Sequence, residues 1–104
     1  MTSSPDILLT LIAPAALEET LADLLLEMPE VAHGFTCCPV DGRGIHVPLV
    51  GADENVRGRG KRIRVDIALD SAGRQSLLDA LRAALPGARI FFWTTPLIDS
   101  GRLT

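Results

Sequence analysis

Arg62-Ile63-Arg64-Val65-Asp66-Ile67-Ala68-Leu69 alternates branched apolar residues at odd positions with charged or small residues at even ones. A period of two is that of a half-buried strand, whose successive side chains point to opposite faces. One face of this strand is therefore core and the other carries charge. Asp70 or Ser71 then caps a helix whose Leu77, Leu78, Leu81 and Leu85 form an apolar stripe at helical spacing. Pro86-Gly87 ends that helix, and Ala88–Thr94, with Ile90, Phe91, Phe92 and Trp93, reads as the next strand.

The same order precedes it. Ile7–Ala13 is a short apolar run ended by Pro14, and it reads as a central strand buried on both faces. Leu17, Leu21, Leu24, Leu25 and Met28 then recur at helical spacing, with Glu18, Glu19 and Asp23 near the positive N-terminal end and Pro29 as the stop. Val31–Val40 reads as a second strand, with Val31, His33, Phe35 and Cys37 on one parity. Two strand-helix-strand units are thus joined by residues 41–60, a glycine-rich loop long enough to be functional, in which Ala52–Arg57 suits one helical turn. Right-handed crossovers turn this order into an α+β, ferredoxin-like βαββαβ sandwich: a four-stranded antiparallel sheet with both helices on one face. The single domain covers residues 6–97, and 98–104 form a C-terminal tail, with Leu97 and Ile98 placed to extend an edge strand. The uncovered sheet face bears apolar residues of the first and last strands, so other subunits are expected to cover it.

A chain of 104 residues supports one core and leaves little room for a self-contained enzyme. With 47% hydrophobic and 22% charged residues it reads as a globular domain rather than a disordered one. Phe35, Phe91, Phe92 and Trp93 are the only aromatics and the net charge is −3, so nucleic acid is not an expected partner. No apolar run approaches the roughly 18 residues of a membrane span and the N-terminus lacks a signal-peptide pattern, which leads to a cytoplasmic reading.

Charge is unevenly distributed. Residues 1–42 hold seven acids and no Lys or Arg, whereas 43–64 hold six bases against Asp53 and Glu54. Such a basic cluster on an acidic chain suits an anion, because arginine forks match phosphate and carboxylate geometry. The alternative is a solvated strand face balanced by the acidic first helix. The candidate anion- or nucleotide-binding residues are Arg43, Arg57, Arg59, Lys61, Arg62 and Arg89, with Arg64 on the same strand face as Arg62. Candidate metal ligands are Cys37, Cys38 and His46. The adjacent cysteines point to opposite faces of a strand, and His33 lies about 13 Å from Cys37 at 3.3 Å per residue, so one ion would need a neighbouring subunit. Without Cys-x-x-Cys spacing, buried and inert thiols are the expectation. Neither His33 and His46 as bases nor Ser71 and Cys37 as nucleophiles sit in a known catalytic order, and the chain is not expected to be an enzyme.

The βαββαβ order, the long loop and the run Val56-Arg57-Gly58-Arg59-Gly60-Lys61-Arg62-Ile63-Arg64-Val65 resemble PII-like signalling proteins. More narrowly, His33-Gly34-Phe35-Thr36, Pro39-Val40-Asp41-Gly42-Arg43-Gly44 and Gly51-Ala52-Asp53-Glu54-Asn55-Val56-Arg57-Gly58 resemble an uncharacterised PII-like family often encoded beside heavy-metal efflux pumps. The resemblance implies a homotrimer with ligand clefts between subunits, roofed by the long loop. It implies a small-molecule effector, an adenine nucleotide or other small anion, and regulation of a partner such as a membrane transporter or efflux pump. The alternative is a metal-responsive accessory protein of an efflux system, binding a divalent or copper ion. Where PII proteins close their nucleotide site with Gly-Asp-Gly-Lys-Ile-Phe before the last strand, this chain departs with Leu85-Pro86-Gly87-Ala88-Arg89-Ile90-Phe91, which keeps one glycine and a basic residue but lacks the acidic residue and the second glycine.

Overall fold

A computed structural model describes residues 5–43 and 59–104. Strand β1 (Ile7–Pro14) leads through a 3-10 turn (Ala15–Leu17) into helix α1 (Glu18–Leu26), followed by β2 (Phe35–Arg43), β3 (Arg59–Leu69), α2 (Ser71–Ala84) and β4 (Phe91–Pro96). The strands form one antiparallel sheet in the order β2-β3-β1-β4. This is the expected α+β, ferredoxin-like arrangement.

The pairing of β1 with β3 sets the core. Leu9 lies opposite Ile67, Leu11 opposite Val65 and Ala13 opposite Ile63, so the odd residues of both strands share one face. These side chains are buried together with Leu21 and Leu25 of α1 and Leu77, Leu78 and Leu81 of α2. On the other face Thr10 is buried but Leu8 and Ile12 are only half-buried, so β1 is not enclosed on both sides as its composition suggested.

Asp6 ties three segments together. Its carboxylate accepts the Ser71 backbone N–H at 2.7 Å and the Ser71 hydroxyl at 2.9 Å, while its carbonyl accepts the Leu97 N–H at 2.9 Å. Asp70 is the N-cap, accepting from the Ala72 N–H at 3.2 Å. Ser100 is held to the Pro5 carbonyl at 2.7 Å.

Several boundaries differ from the sequence reading. The second strand begins at Phe35, not Val31, because Val31 and Ala32 bond back to the Met28 carbonyl in a turn that buries Ala32 in the core. His33 is consequently off the strand and does not share a face with Cys37. The hairpin strands run to Arg43 and from Arg59, so both ends of the expected 41–60 loop are ladder, and the proposed turn at Ala52–Arg57 lies outside the described residues. The fourth strand starts at Phe91 rather than Ala88, since Gly87 and Arg89 adopt positive φ of 74° and 59°, a turn that cannot enter a ladder. Leu97 and Ile98 add no edge strand, and Ile98 is fully exposed.

Leu77→Ala is expected to lower unfolding free energy by about 2–5 kcal/mol in urea titration, as truncation of a fully buried leucine leaves a cavity. The Ser71 backbone N–H, then its hydroxyl, hold the Asp6 carboxyl below its ordinary value. A depressed folded-state value gives stability that is complete above the ordinary carboxylate range and lost as pH falls through the lowered value. The melting temperature of Asp6→Ala should therefore fall less steeply on acidification than that of the wild type.

Candidate functional site

The ladder gathers the basic residues at one end of the sheet. Ile12 pairs with Phe91, Pro14 with Arg62 and Val40 with Arg62, which brings the end of β1, the start of β3, the end of β2 and the start of β4 together. Among the described residues a recess opens there at each edge.

The recess at the β4 edge has a volume of about 400 Å³. Leu11, Leu78, Leu81, Leu85, Ile90 and Phe92 give it apolar walls, and Arg82, Arg89 and the turn Pro86-Gly87-Ala88 complete its lining. Glycine adopts the left-handed conformation freely, but at Arg89 it costs about 1–2 kcal/mol, strain of a kind that collects at ligand sites. Arg82 is only loosely engaged, its Nη1 lying 3.5 Å from the Asp79 carboxylate at an exposed position. The sequence reading passed over Arg82. Its place in the last turn of α2 was the available signal, since that turn delivers the chain to the Pro86-Gly87 bend.

The recess at the β2 edge, about 410 Å³, is lined by Ala15, Pro39, Val40, Asp41, Lys61 and Arg62. Asp41 and Lys61 face each other in the ladder. Arg62 is only 3% exposed: its Nη1 donates to the Lys61 carbonyl at 2.9 Å, and its Nη2 is buried with no acceptor.

Arg64 has a different role. On the uncovered sheet face its Nε donates to Asp66 at 3.0 Å, Thr10 donates to the same carboxylate at 2.7 Å, and the Arg64 guanidinium lies 6.0 Å from the Trp93 ring centre. Trp93 and Phe91 remain 44% and 39% exposed around this cluster.

Of the expected anion-binding residues, Lys61 and Arg62 line one recess and Arg89 the other. Arg43 and Arg59 are the last register pair of the β2–β3 hairpin. Arg57 and His46 lie outside the described residues. Cys37 and Cys38 are both exposed, not buried, because β2 is an edge strand. They pair with Val65 and Arg64 and so occupy opposite faces, and no group of three potential metal ligands occurs among the described residues. Desolvation, then the Glu18 carboxylate, push the Cys37 thiol above its ordinary value. No helix among the described residues is long and apolar enough to cross a membrane.

The family described as "Protein of unknown function (DUF3240)" matches residues 3–104. Among solved structures, a DUF3240 family protein from Shewanella baltica OS155 is 24% identical with a TM-score of 0.78, covering 98% of this chain and 100% of that one. CPII, a nitrogen regulatory PII-like protein from Thiomonas intermedia K12 bound to ADP, AMP and bicarbonate, is 21% identical with a TM-score of 0.70, covering 94% of each chain. A protein described as a putative PII-like signaling protein, from Thermus thermophilus, is 21% identical with a TM-score of 0.63, covering 93% of this chain and 90% of that one. At these identities the likeness establishes the PII-like fold. No curated protein matches.

Removing the Glu18 charge is expected to lower the Cys37 thiol value. In a Cys38→Ser background, the pH midpoint of iodoacetamide alkylation should move down in Glu18→Gln, and an unchanged midpoint would assign the shift to desolvation alone.

Proposed function

This chain belongs to the DUF3240 family, and on that premise we propose that it is a non-catalytic, PII-like regulatory module that binds a small anionic effector between subunits. The observation that carries the reading is the β4-edge recess, apolar within and flanked by Arg82 and the strained Arg89. Its volume lies in the range of about 300–1,000 Å³ usual for small-ligand sites, which likewise combine apolar walls with few polar groups. An adenine nucleotide suits this chemistry: the base takes the apolar wall and the phosphates take the arginines. The Thiomonas protein of similar fold binds ADP and AMP, which supports the choice.

The assembly is a homotrimer, the state that resemblance to PII-like proteins implies. It is supported by the exposed Phe91 and Trp93 beside half-buried Leu8 and Ile12 on a sheet face without helices. The two recesses sit at opposite edges of the sheet and at the same end. A repeated head-to-tail contact in a closed ring then sets the β4 edge of one copy against the β2 edge of the next, so that the nucleotide recess of each copy is closed off by its neighbour. An effector held there favours one conformation of the module, which acts by shifting that population. The partner that reads it is a membrane transporter or efflux pump, as the resemblance to a family encoded beside such pumps suggests.

Light scattering at micromolar concentration should give three chain masses, and a monomer mass overturns the assembly. ADP, AMP or ATP should raise the melting temperature, and Arg89→Ala should weaken nucleotide binding about tenfold or more, the value of one charge-assisted contact. Absence of any nucleotide response removes this effector class. A response to zinc or copper(I) alone transfers the function to Cys37, Cys38 and His46.

A further inference from the structure

Arg62 is 3% exposed, yet the two N–H groups of its Nη2 meet no acceptor among the described residues. A guanidinium keeps its charge in proteins, so burial does not remove the cost. Burying a charged donor unpaired is more costly than burying a neutral one, and the Lys61 carbonyl at Nη1 satisfies one nitrogen without cancelling the charge. We infer that the β2-edge recess is a second binding site, for a small oxyanion that pairs with the buried Arg62 Nη2.

The surroundings define the ligand. Ala15, Pro39 and Val40 make the wall apolar, which strengthens any charge pairing formed against it. Among the described lining residues Lys61 and Asp41, facing each other in the ladder, contribute opposite charges, so Arg62 leaves one positive charge over. An acceptor of one unit of negative charge with oxygens in hydrogen-bond reach matches it: a carboxylate or a phosphate group, free or at the end of a larger molecule. A neutral carbonyl would satisfy the N–H groups and leave the charge buried. The inference deepens the effector reading, since this recess faces the β4 recess of a neighbour across the proposed cleft. It uses none of that recess's residues, and one chain supplies all of its own.

The test uses the full chain in Tris chloride free of phosphate and carboxylate. Inorganic phosphate, acetate or both should raise the melting temperature of the wild type, and the arm that responds identifies the group recognised. Arg62→Met should abolish the response and, having removed an unpaired buried charge, should be no less stable than the wild type without the anion. Arg62→Lys, which keeps the charge but not the fork, should weaken binding about tenfold or more. ADP binding that depends on Arg89 should persist in Arg62→Met; its loss from the wild type with anion binding intact defeats the nucleotide reading alone. The inference is overturned if calorimetry detects neither anion on the wild type at millimolar concentration. An anion response that is the same in Arg62→Met, or, should that variant not fold, in Arg62→Lys, also overturns it.

Discussion

The antiparallel pairing of β1 with β3 is the interaction on which the rest depends. Opposing Leu9 to Ile67 and Leu11 to Val65 places Leu9, Leu11 and Ala13 of β1 and Ile63, Val65, Ile67 and Leu69 of β3 under the helices, and a slip of one residue would turn Arg64 and Asp66 into the core. Burial of the odd face therefore fixes the register more firmly than any turn does. Once it is fixed, the even face has no choice but to carry Thr10, Arg64 and Asp66.

That face is more than a by-product of the core. Asp66 is held by Thr10 and Arg64 in one small network, so a carboxylate in the middle of the sheet has its acceptors used within the chain. Trp93 adds its ring to Arg64 and leaves an apolar rim exposed. A polar centre satisfied internally, surrounded by apolar surface, is suited to being covered without leaving a charge unpaired. Arg62, two residues along the same strand, is in the opposite condition: buried, charged and incompletely bonded. The contrast between two arginines of one strand is the ground on which an oxyanion is proposed at Arg62 and not at Arg64.

Most of the architecture was legible in local pattern. The period-two run at residues 62–69, the leucine stripes of both helices and the Asp70 cap appear where periodicity and capping chemistry place them. The boundaries that moved did so for reasons outside local pattern. Val31 and Ala32 have strand-like composition, but the Met28 carbonyl captures their N–H groups in a turn that closes over the core. Ala88–Ile90 read as strand because Arg89 is not a residue from which positive φ is expected. The cysteines read as core because free thiols without metal-ligand spacing are usually buried, whereas their strand lies at a sheet edge, which depends on strand order.

By itself the sequence determined the βαββαβ order, the single core and the concentration of bases near residues 57–64, because hydrophobic periodicity and charge are properties of neighbours along the chain. It did not distinguish among those bases. Which arginine pairs with Asp66, which is buried with an unbonded Nη2 and which sits in a strained turn beside an apolar recess were decided by the tertiary structure. Those differences arise from contacts between residues far apart in sequence, such as Thr10 with Asp66 and Arg62 with the ends of β1 and β2. Sheet register and strand order create those contacts, and only the folded chain specifies both.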